Sequence, residues 1–349
     1  MTFAVYGAYG YTGRLVVAEL ARRRLDMALL GRDADRLARL AVTYDVPPGK
    51  VRVATLDDPA ILAAALSDCR VVINCAGPFT VAGPAVVRAA IAAGCHYVDI
   101  AGEQLYMKHV FDTLASAAER AEVSVILAAN DDGLPSDLIA ALAARPLGPI
   151  DDLVIGLELT RVDGSTPSRG TLRSAFASRD TFLDGGLGYA GGRWDSGIPT
   201  RRSSMMLPLS GQVAPVVKFP LPAVVTIPRH VAASHVEGVA SQALATGLAG
   251  VSTALIDSVP EGPPETIRSA GRWGIAVEAV AGSGATARGI VQGHDMQATT
   301  AAVAVEAAQR LLVQPLARYG VLAPAEAFEP EDFLDALTPH GVTWSIEPG

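Results

Sequence analysis

The sequence is poor in the features that would announce several common chemistries. Aromatic residues make up 5% of its 349 residues, and the three cysteines, Cys69, Cys75 and Cys95, form no C-x-x-C pair. That number and spacing suit neither zinc nor a disulfide framework, so small buried thiols in a reducing cytoplasm are expected. No tract of Lys and Arg occurs and the net charge is −8, which leaves nucleic acid no electrostatic footprint. No stretch of 18 apolar residues is free of charges and turn signals, so no integral membrane segment is expected. The first residues show neither a basic leader nor a cleavage site. His230, His235, His294 and His340 lack H-E-x-x-H or any other metal spacing, and no metal is expected. The absence of a G-x-S-x-G elbow argues against a serine hydrolase.

What the chain does contain is alternation. Over the first 130 residues, apolar runs at 3–7, 27–31, 51–56, 71–77, 96–102 and 123–129 alternate with helical patterns at 12–24, 33–43, 58–66, 83–93 and 106–121. Strands separated by helices predict a doubly wound parallel sheet of Rossmann type. A helix is expected to start at Ser136 or Asp137 and to stop before Pro146. From 151 the texture changes to β-type runs broken by Gly and Pro, "DDLVIGLEL", "QVAPVVKFPLPAVVTI" and "WGIAVEAVAG". This predicts an α+β domain with a largely antiparallel sheet. Strong helix pattern returns at 299–320. The expected division is a dinucleotide-binding domain over 1–135, an α+β domain over 136–296, and a helical segment over 297–349.

The most informative stretch is "FAVYGAYGYTGRLVVAEL", residues 3–20. A strand runs into a turn with Gly7, Gly10 and Gly13, and a helix leaves it, which is the context a dinucleotide fingerprint requires. Gly7 permits a tight turn, Gly10 clears space for a pyrophosphate at the helix N-terminus, and Gly13 lets helix and strand approach. Tyr9, Tyr11 and Thr12 share the turn and are candidate cofactor contacts. Without a ligand, the same glycines would make an ordinary tight βα turn. The second strand ends in "LLGRDADRL", with Gly31 where NAD-selective folds place an acid and with Arg32 following. Arg32, assisted by Arg36, can pair with a 2′-phosphate, which favours NADP(H). If Arg32 is only a solvated cation, Asp33 is a helix cap and nothing more. The fourth strand ends in "NCAGPF", where Ala76, Gly77, Pro78 and Phe79 let a loop pass close to a ligand, and Gly83-Pro84 is expected to open the next helix.

Chemistry at a nicotinamide needs orientation and a proton source. "HYVDIAGE" supplies the candidates Tyr97, Asp99 and Glu103. Tyr97 and Asp99 point to one face of their strand and could act as a pair. Each has a structural alternative: Tyr97 as sheet packing, Asp99 and Glu103 as caps. Ser136 is a candidate at the mouth of the cleft. In "SRGTLRSAF", Arg169, Thr171 and Arg173 are candidate substrate contacts, the arginines for an anionic group.

"GAYGYTGRL", "GRDADRL", "NCAGPFTVAGPAVVRAAIAAGCHYVDIAGE" and "GLPSDL" together resemble the saccharopine dehydrogenase-like oxidoreductases. The likeness is closest to the shorter bacterial branch that includes trans-acting enoyl reductases. It is strong over residues 3–140 and patchy beyond, in "SRGTLRSAF", "VLAPAEAF" and "GVTWSI". The family's Asp-Pro-Gly-Tyr before the last long helix is replaced by "GHDMQATT", which keeps Asp295 alone, and "DDGLPSDL" stands for the more usual "GFDSxPSDL". The resemblance implies a nicotinamide-binding Rossmann domain, an inserted domain over 136–296 for substrate and dimerisation, hence a homodimer, and a return of the 297–349 segment to the first domain. Three functions follow as alternatives. The first is NADPH-dependent reduction of a C=C bond in an enoyl thioester or polyketide-type intermediate, free or carrier-tethered. The second is reduction of a C=N bond, and the third a non-catalytic NADP-binding sensor for a partner protein.

Overall fold

The computed structural model describes residues 1–160, 167–313 and 318–348. Within them the chain forms two compact units. The first comprises Met1–Ala101, Leu105–Asn130 and Thr300–Leu322. Its strands β1 (Phe3–Tyr6), β2 (Met27–Gly31), β3 (Val51–Val53), β4 (Val71–Asn74), β5 (His96–Asp99) and β6 (Ser124–Ile126) alternate with helices α1 (Tyr11–Arg22), α2 (Ala34–Thr43), α3 (Pro59–Ala64), α4 (Phe79–Ala92) and α5 (Gln104–Arg120). All strand pairs are parallel. The order across the sheet is Gly320–Leu322, β6, β5, β4, β1, β2, β3. This is the doubly wound arrangement, with its reversal between β1 and β4.

The near-continuous apolar character of these strands has a simple origin. Every residue of β1, β2, β4 and β5 is buried, because helices cover both faces. Leu29, Leu30 and Ile73 are completely enclosed, each contributing about 1.5–3 kcal/mol by burial. Helix starts follow their caps. Asp33 accepts from the Arg36 N–H before α2, and Asp58 from Ala60 and Ile61 before α3. α4 begins at Phe79, directly after a cis Gly77–Pro78 bond, and carries Pro84 inside it. The expected start at Gly83-Pro84 is therefore four residues late: Pro84 is the sixth residue of the helix, where its ring costs the bond back to residue 80 without ending the helix. The long helix Met296–Val313 is tied back to α1, where Arg23 bonds Glu19, Glu306 and Gln309. The expected helix over 299–320 extends into 314–317, outside the described residues, and Gly320–Leu322 is a strand.

The second unit comprises Gly102–Gln104, Asp131–Thr299 and Ala323–Gly349. It contains α6 (Leu134–Ala144), β7 (Ile150–Thr160), α7 (Arg169–Ala177) and a sheet in the order Thr343–Pro348, Thr286–His294, Arg272–Ala281, β7, His235–Ala240, Gly188–Ala190, Arg193–Asp195. Its pairs are antiparallel except β7 with His235–Ala240. Three expectations change. "QVAPVVKFPLPAVVTI" is not one strand: Val213–Pro215 and Val217–Lys218 are short, and Ala223–Thr226 is a buried helical turn. Pro215, Pro220 and Pro222 each remove a ladder donor. α6 starts at Leu134, so Ser136 lies inside the helix, and its hydroxyl donates to the Asp132 carbonyl. Residues 323–348 cluster with the second unit and close its sheet edge, so the return to the first unit ends at Leu322. Among the described residues no helix is long and apolar enough to cross a membrane.

Asp137, fully buried on α6, accepts from His230 Nε2 at 2.9 Å and from the Ala325 N–H at 2.8 Å. Burial opposes the His230 cation, but the charge and hydrogen bond of Asp137, with Glu326, outweigh it and raise the imidazole above its ordinary 6.5. The stability this pair adds is fully present below the unfolded value and is lost as pH rises through the raised folded value. Urea unfolding at about pH 6 and about pH 9 should show the loss, and His230→Gln should flatten it. An unchanged pH profile in that variant would contradict the assignment.

Candidate functional site

The turn between β1 and α1 is built by close backbone approach. Gly7 has φ +78°, and a Cβ there would lie 3.0 Å from the Ala76 Cβ and N. The ends of β1 and β4 therefore meet at the reversal of the sheet. A Cβ on Gly13 would lie 2.2 Å from the Gly7 carbonyl oxygen, so α1 starts hard against the turn. Gly10 caps α1 with no side-chain hydrogen bond, and the first turn holds no acid. Backbone donors at that terminus, Tyr11 and Thr12 with them, suit an anion. Arg32 is exposed just past β2, without a hydrogen bond or ion pair among the described residues. Arg36 lies over the Tyr9 ring, 4.6 Å from its centroid, and donates to the Tyr9 carbonyl at 3.3 Å. These groups fit a dinucleotide carrying a 2′-phosphate. Ala76, whose N–H donates to Asn74 Oδ1 at 3.0 Å, and Gly77 and Pro78 border the same end of the sheet.

Tyr97 and Asp99 are hydrogen-bonded to each other and sealed from solvent. Both are 0% exposed. Asp99 Oδ1 accepts from the Ala101 and Ala128 N–H groups at 3.1 and 2.9 Å. Oδ2 accepts from the Tyr97 and Tyr106 hydroxyls at 3.0 and 2.7 Å. Asn74 Nδ2 donates to the Tyr97 oxygen at 2.9 Å. Burial pushes the Asp99 carboxyl up to about 6, against the pull of its four hydrogen bonds. Burial, followed by the charge of Asp99, raises both tyrosines well above their ordinary value. Sequence reasoning missed Asn74, Gly83 and Tyr106. Asn74 ends an otherwise apolar strand, which is a visible signal, but nothing marks Tyr106. Gly83 makes room for it: a Cβ there would lie 2.2 Å from Tyr106 Cε2. Phe79 packs beside the same ring, with centroids 6.0 Å apart. Gly83→Ala should therefore cost about 1–3 kcal/mol in urea unfolding. A stability equal to wild type would mean that Tyr106 has another seat.

The remaining candidates lie in the second unit. Glu103 is 4% exposed and Ser136 fully buried. Ser168 caps α7. Arg169 donates twice to the Val259 carbonyl, at 3.2 and 2.6 Å, while Thr171 and Arg173 are exposed on the helix. Asp152, His235 and Glu237 gather within 4.8 Å as a possible metal-ligand set. Their charges are already answered: Glu237 accepts from the Arg201 N–H with both oxygens, His235 Nδ1 is 2.7 Å from Asp152, and Arg201 and Arg202 flank Asp152. An ion-pair cluster describes them better than a cation site.

A parallel sheet in this order, with a glycine turn after its first strand and no carboxylate ending its second, defines a Rossmann-type dinucleotide-binding unit. Residues 3–126 match the family model of the saccharopine dehydrogenase NADP binding domain. The cofactor is accordingly NADP(H). An Arabidopsis thaliana protein named a probable mitochondrial saccharopine dehydrogenase-like oxidoreductase is 31% identical over 147 residues, 38% of this chain and 32% of its own. A trans-acting enoyl reductase of Mycobacterium bovis is 31% identical over 138 residues, 38% of this chain and 33% of its own. The chain spans about a third of the length of these curated relatives. Apo histidine-tagged saccharopine dehydrogenase (L-Glu forming) from Saccharomyces cerevisiae is similar with a TM-score of 0.63 over 99% of both chains, at 14% identity, which shows the fold alone.

Proposed function

We propose that the protein is an NADP(H)-dependent oxidoreductase that reduces a C=C bond of an enoyl thioester or polyketide-type intermediate, free or carrier-tethered. The observation that carries the cofactor part is the uncapped, acid-free N-terminus of α1 behind Gly7, Gly10 and Gly13. The C=C preference is supported by likeness to a trans-acting enoyl reductase over 138 residues. When bound, NADPH supplies a hydride to an electrophilic carbon. In this reading the first turn of α1 holds the pyrophosphate, Arg32 and Arg36 the 2′-phosphate, and Ala76 to Phe79 border the ring end. Tyr97 and Asp99 are positioning residues, since their polar atoms are spent on β4, β5, β6 and α5. Glu103 is the proton-donor candidate. Arg173 and Thr171 take the anionic end of the substrate, because Arg169 is engaged with Val259, and Ser136 serves through helix packing. We place the protein in the cytoplasm as a homodimer.

The burial of Tyr97 and Asp99 favours a second reading, a non-catalytic NADP-binding sensor. One set of measurements separates the readings: NADPH binding, then NADPH oxidation with an enoyl thioester and with a cyclic imine. Turnover of the thioester alone supports the proposal, and turnover of the imine alone replaces it with C=N reduction. Binding without turnover leaves the sensor. The 2′-phosphate contact is tested by Arg32→Ala, which should weaken NADP(H) about tenfold or more and leave NAD(H) unchanged.

A further inference from the structure

We propose that Tyr9 is a specificity-determining residue of this turn: it bars a ribose-binding carboxylate from position 31 and holds Arg36 for a 2′-phosphate. The inference rests on the reading of the turn as a dinucleotide site and goes beyond it, because neither arginine alone explains why residue 31 is glycine.

Gly31 is the last residue of β2 and is buried. Its backbone does not call for glycine by conformation, for it is not among the residues with positive φ. The reason is the neighbour. A Cβ at residue 31 would lie 2.6 Å from Tyr9 Cε1, 3.3 Å from Cδ1 and 3.4 Å from Cζ. The ring fills the space into which any side chain at 31 would project. An aspartate or glutamate there, the usual partner of a ribose 2′-hydroxyl, collides with the ring before it reaches a ligand.

The same ring also holds a cation. The Arg36 guanidinium lies 4.6 Å from the ring centroid, within cation–π range. Its Nη2 donates to the Tyr9 carbonyl at 3.3 Å, and Arg14 Nη1 donates to the same oxygen at 2.8 Å. The Arg36 backbone is fixed in turn, since its N–H donates to the Asp33 carboxylate at 2.9 Å. One tyrosine thus excludes an acid from residue 31 and orients a cation. A guanidinium held in place before the ligand arrives loses less freedom on binding.

The test uses the full chain and two adenosine ligands, adenosine 2′,5′-bisphosphate and adenosine 5′-monophosphate, titrated by calorimetry. Wild type should prefer the bisphosphate by tenfold or more. Tyr9→Ala should lose roughly five- to tenfold of that preference, through the bisphosphate and not the monophosphate, whereas Tyr9→Phe should keep it. Gly31→Asp should impair binding of both ligands when Tyr9 is present. In the Tyr9→Ala background the same substitution should restore monophosphate binding. Should Tyr9→Ala fail to fold, Tyr9→Leu, which keeps the bulk but not the π face, should still lose the preference. Wild-type preference retained in the folded Ala or Leu variant overturns the inference and leaves the cofactor reading intact. Failure of wild type to bind either ligand overturns both.

Discussion

Gly10→Val is expected to lose NADPH binding while keeping its fold. The three glycines of the turn differ in what a side chain would meet. Valine at Gly7 would combine φ +78° with a 3.0 Å approach to Ala76, and valine at Gly13 would meet the Gly7 oxygen at 2.2 Å. Both would break the turn itself. Gly10 has φ −66° and ψ 167°, which any residue adopts. Its added Cβ would lie 3.1 Å from the Gly7 oxygen, a contact relieved by a shift of a few tenths of an ångström. The branched side chain would then stand before the first-turn N–H groups of α1, where the pyrophosphate reading places the anion. Two charge-assisted hydrogen bonds lost there amount to about 3–6 kcal/mol, or a hundredfold and more in affinity. Fluorescence titration, beside an unchanged far-ultraviolet dichroism spectrum, is the measurement. Wild-type affinity in a folded variant would show that this turn holds no pyrophosphate.

Asp99→Ala is expected to be among the most destabilising single changes in the first unit. It strands the Ala101 and Ala128 N–H groups in a place water does not reach, and leaves the Tyr97 and Tyr106 hydroxyls, 3.0 Å apart, to bond each other. Two buried donors without acceptors, with a small void, cost roughly 3–5 kcal/mol. Asp99→Asn should cost far less: its amide oxygen still accepts both N–H groups, and its NH₂ can donate to the tyrosine oxygens once the hydroxyls turn. The pair also carries a pH signature. The folded carboxyl sits at about 6 rather than 3.8, so the stability tied to its protonation is fully present below 3.8 and is lost as pH rises through about 6. The difference is on the order of 3 kcal/mol. The Asn variant should lack that slope in urea unfolding between about pH 4 and about pH 7. A slope as steep as wild type would assign it to another group.

Much of the first unit is legible in the residues because its signals are local. Strand–turn–helix alternation and caps such as Asp33 and Asp58 place β1 to β6 and α1 to α5 to within a few residues, α4 excepted. The glycine turn is legible for the same reason. The knot around Asp99 is not, because its members come from β4, β5, α5 and the loop after β6. Spacing brings Tyr97 and Asp99 to one face, but only the fold reveals that Tyr106 enters past Gly83 and seals them. In the second unit, prolines within an apolar run disguise a buried helical turn as a strand. The edge strand Gly320–Leu322 carries too few residues to show a period.

The parallel pairing of Gly320–Leu322 with β6 has a bearing on how the chain is made. β6 ends at residue 126, but the strand that covers its outer side begins only at residue 320. In the interval the nascent sheet offers an open row of N–H and C=O groups from a wholly buried, apolar strand, the kind of edge to which other chains add. A truncated product ending before Gly320 would keep that edge for good. Such truncated products should aggregate, and residues 296–322 supplied in trans should relieve it, because an early sheet edge is closed by a strand made much later.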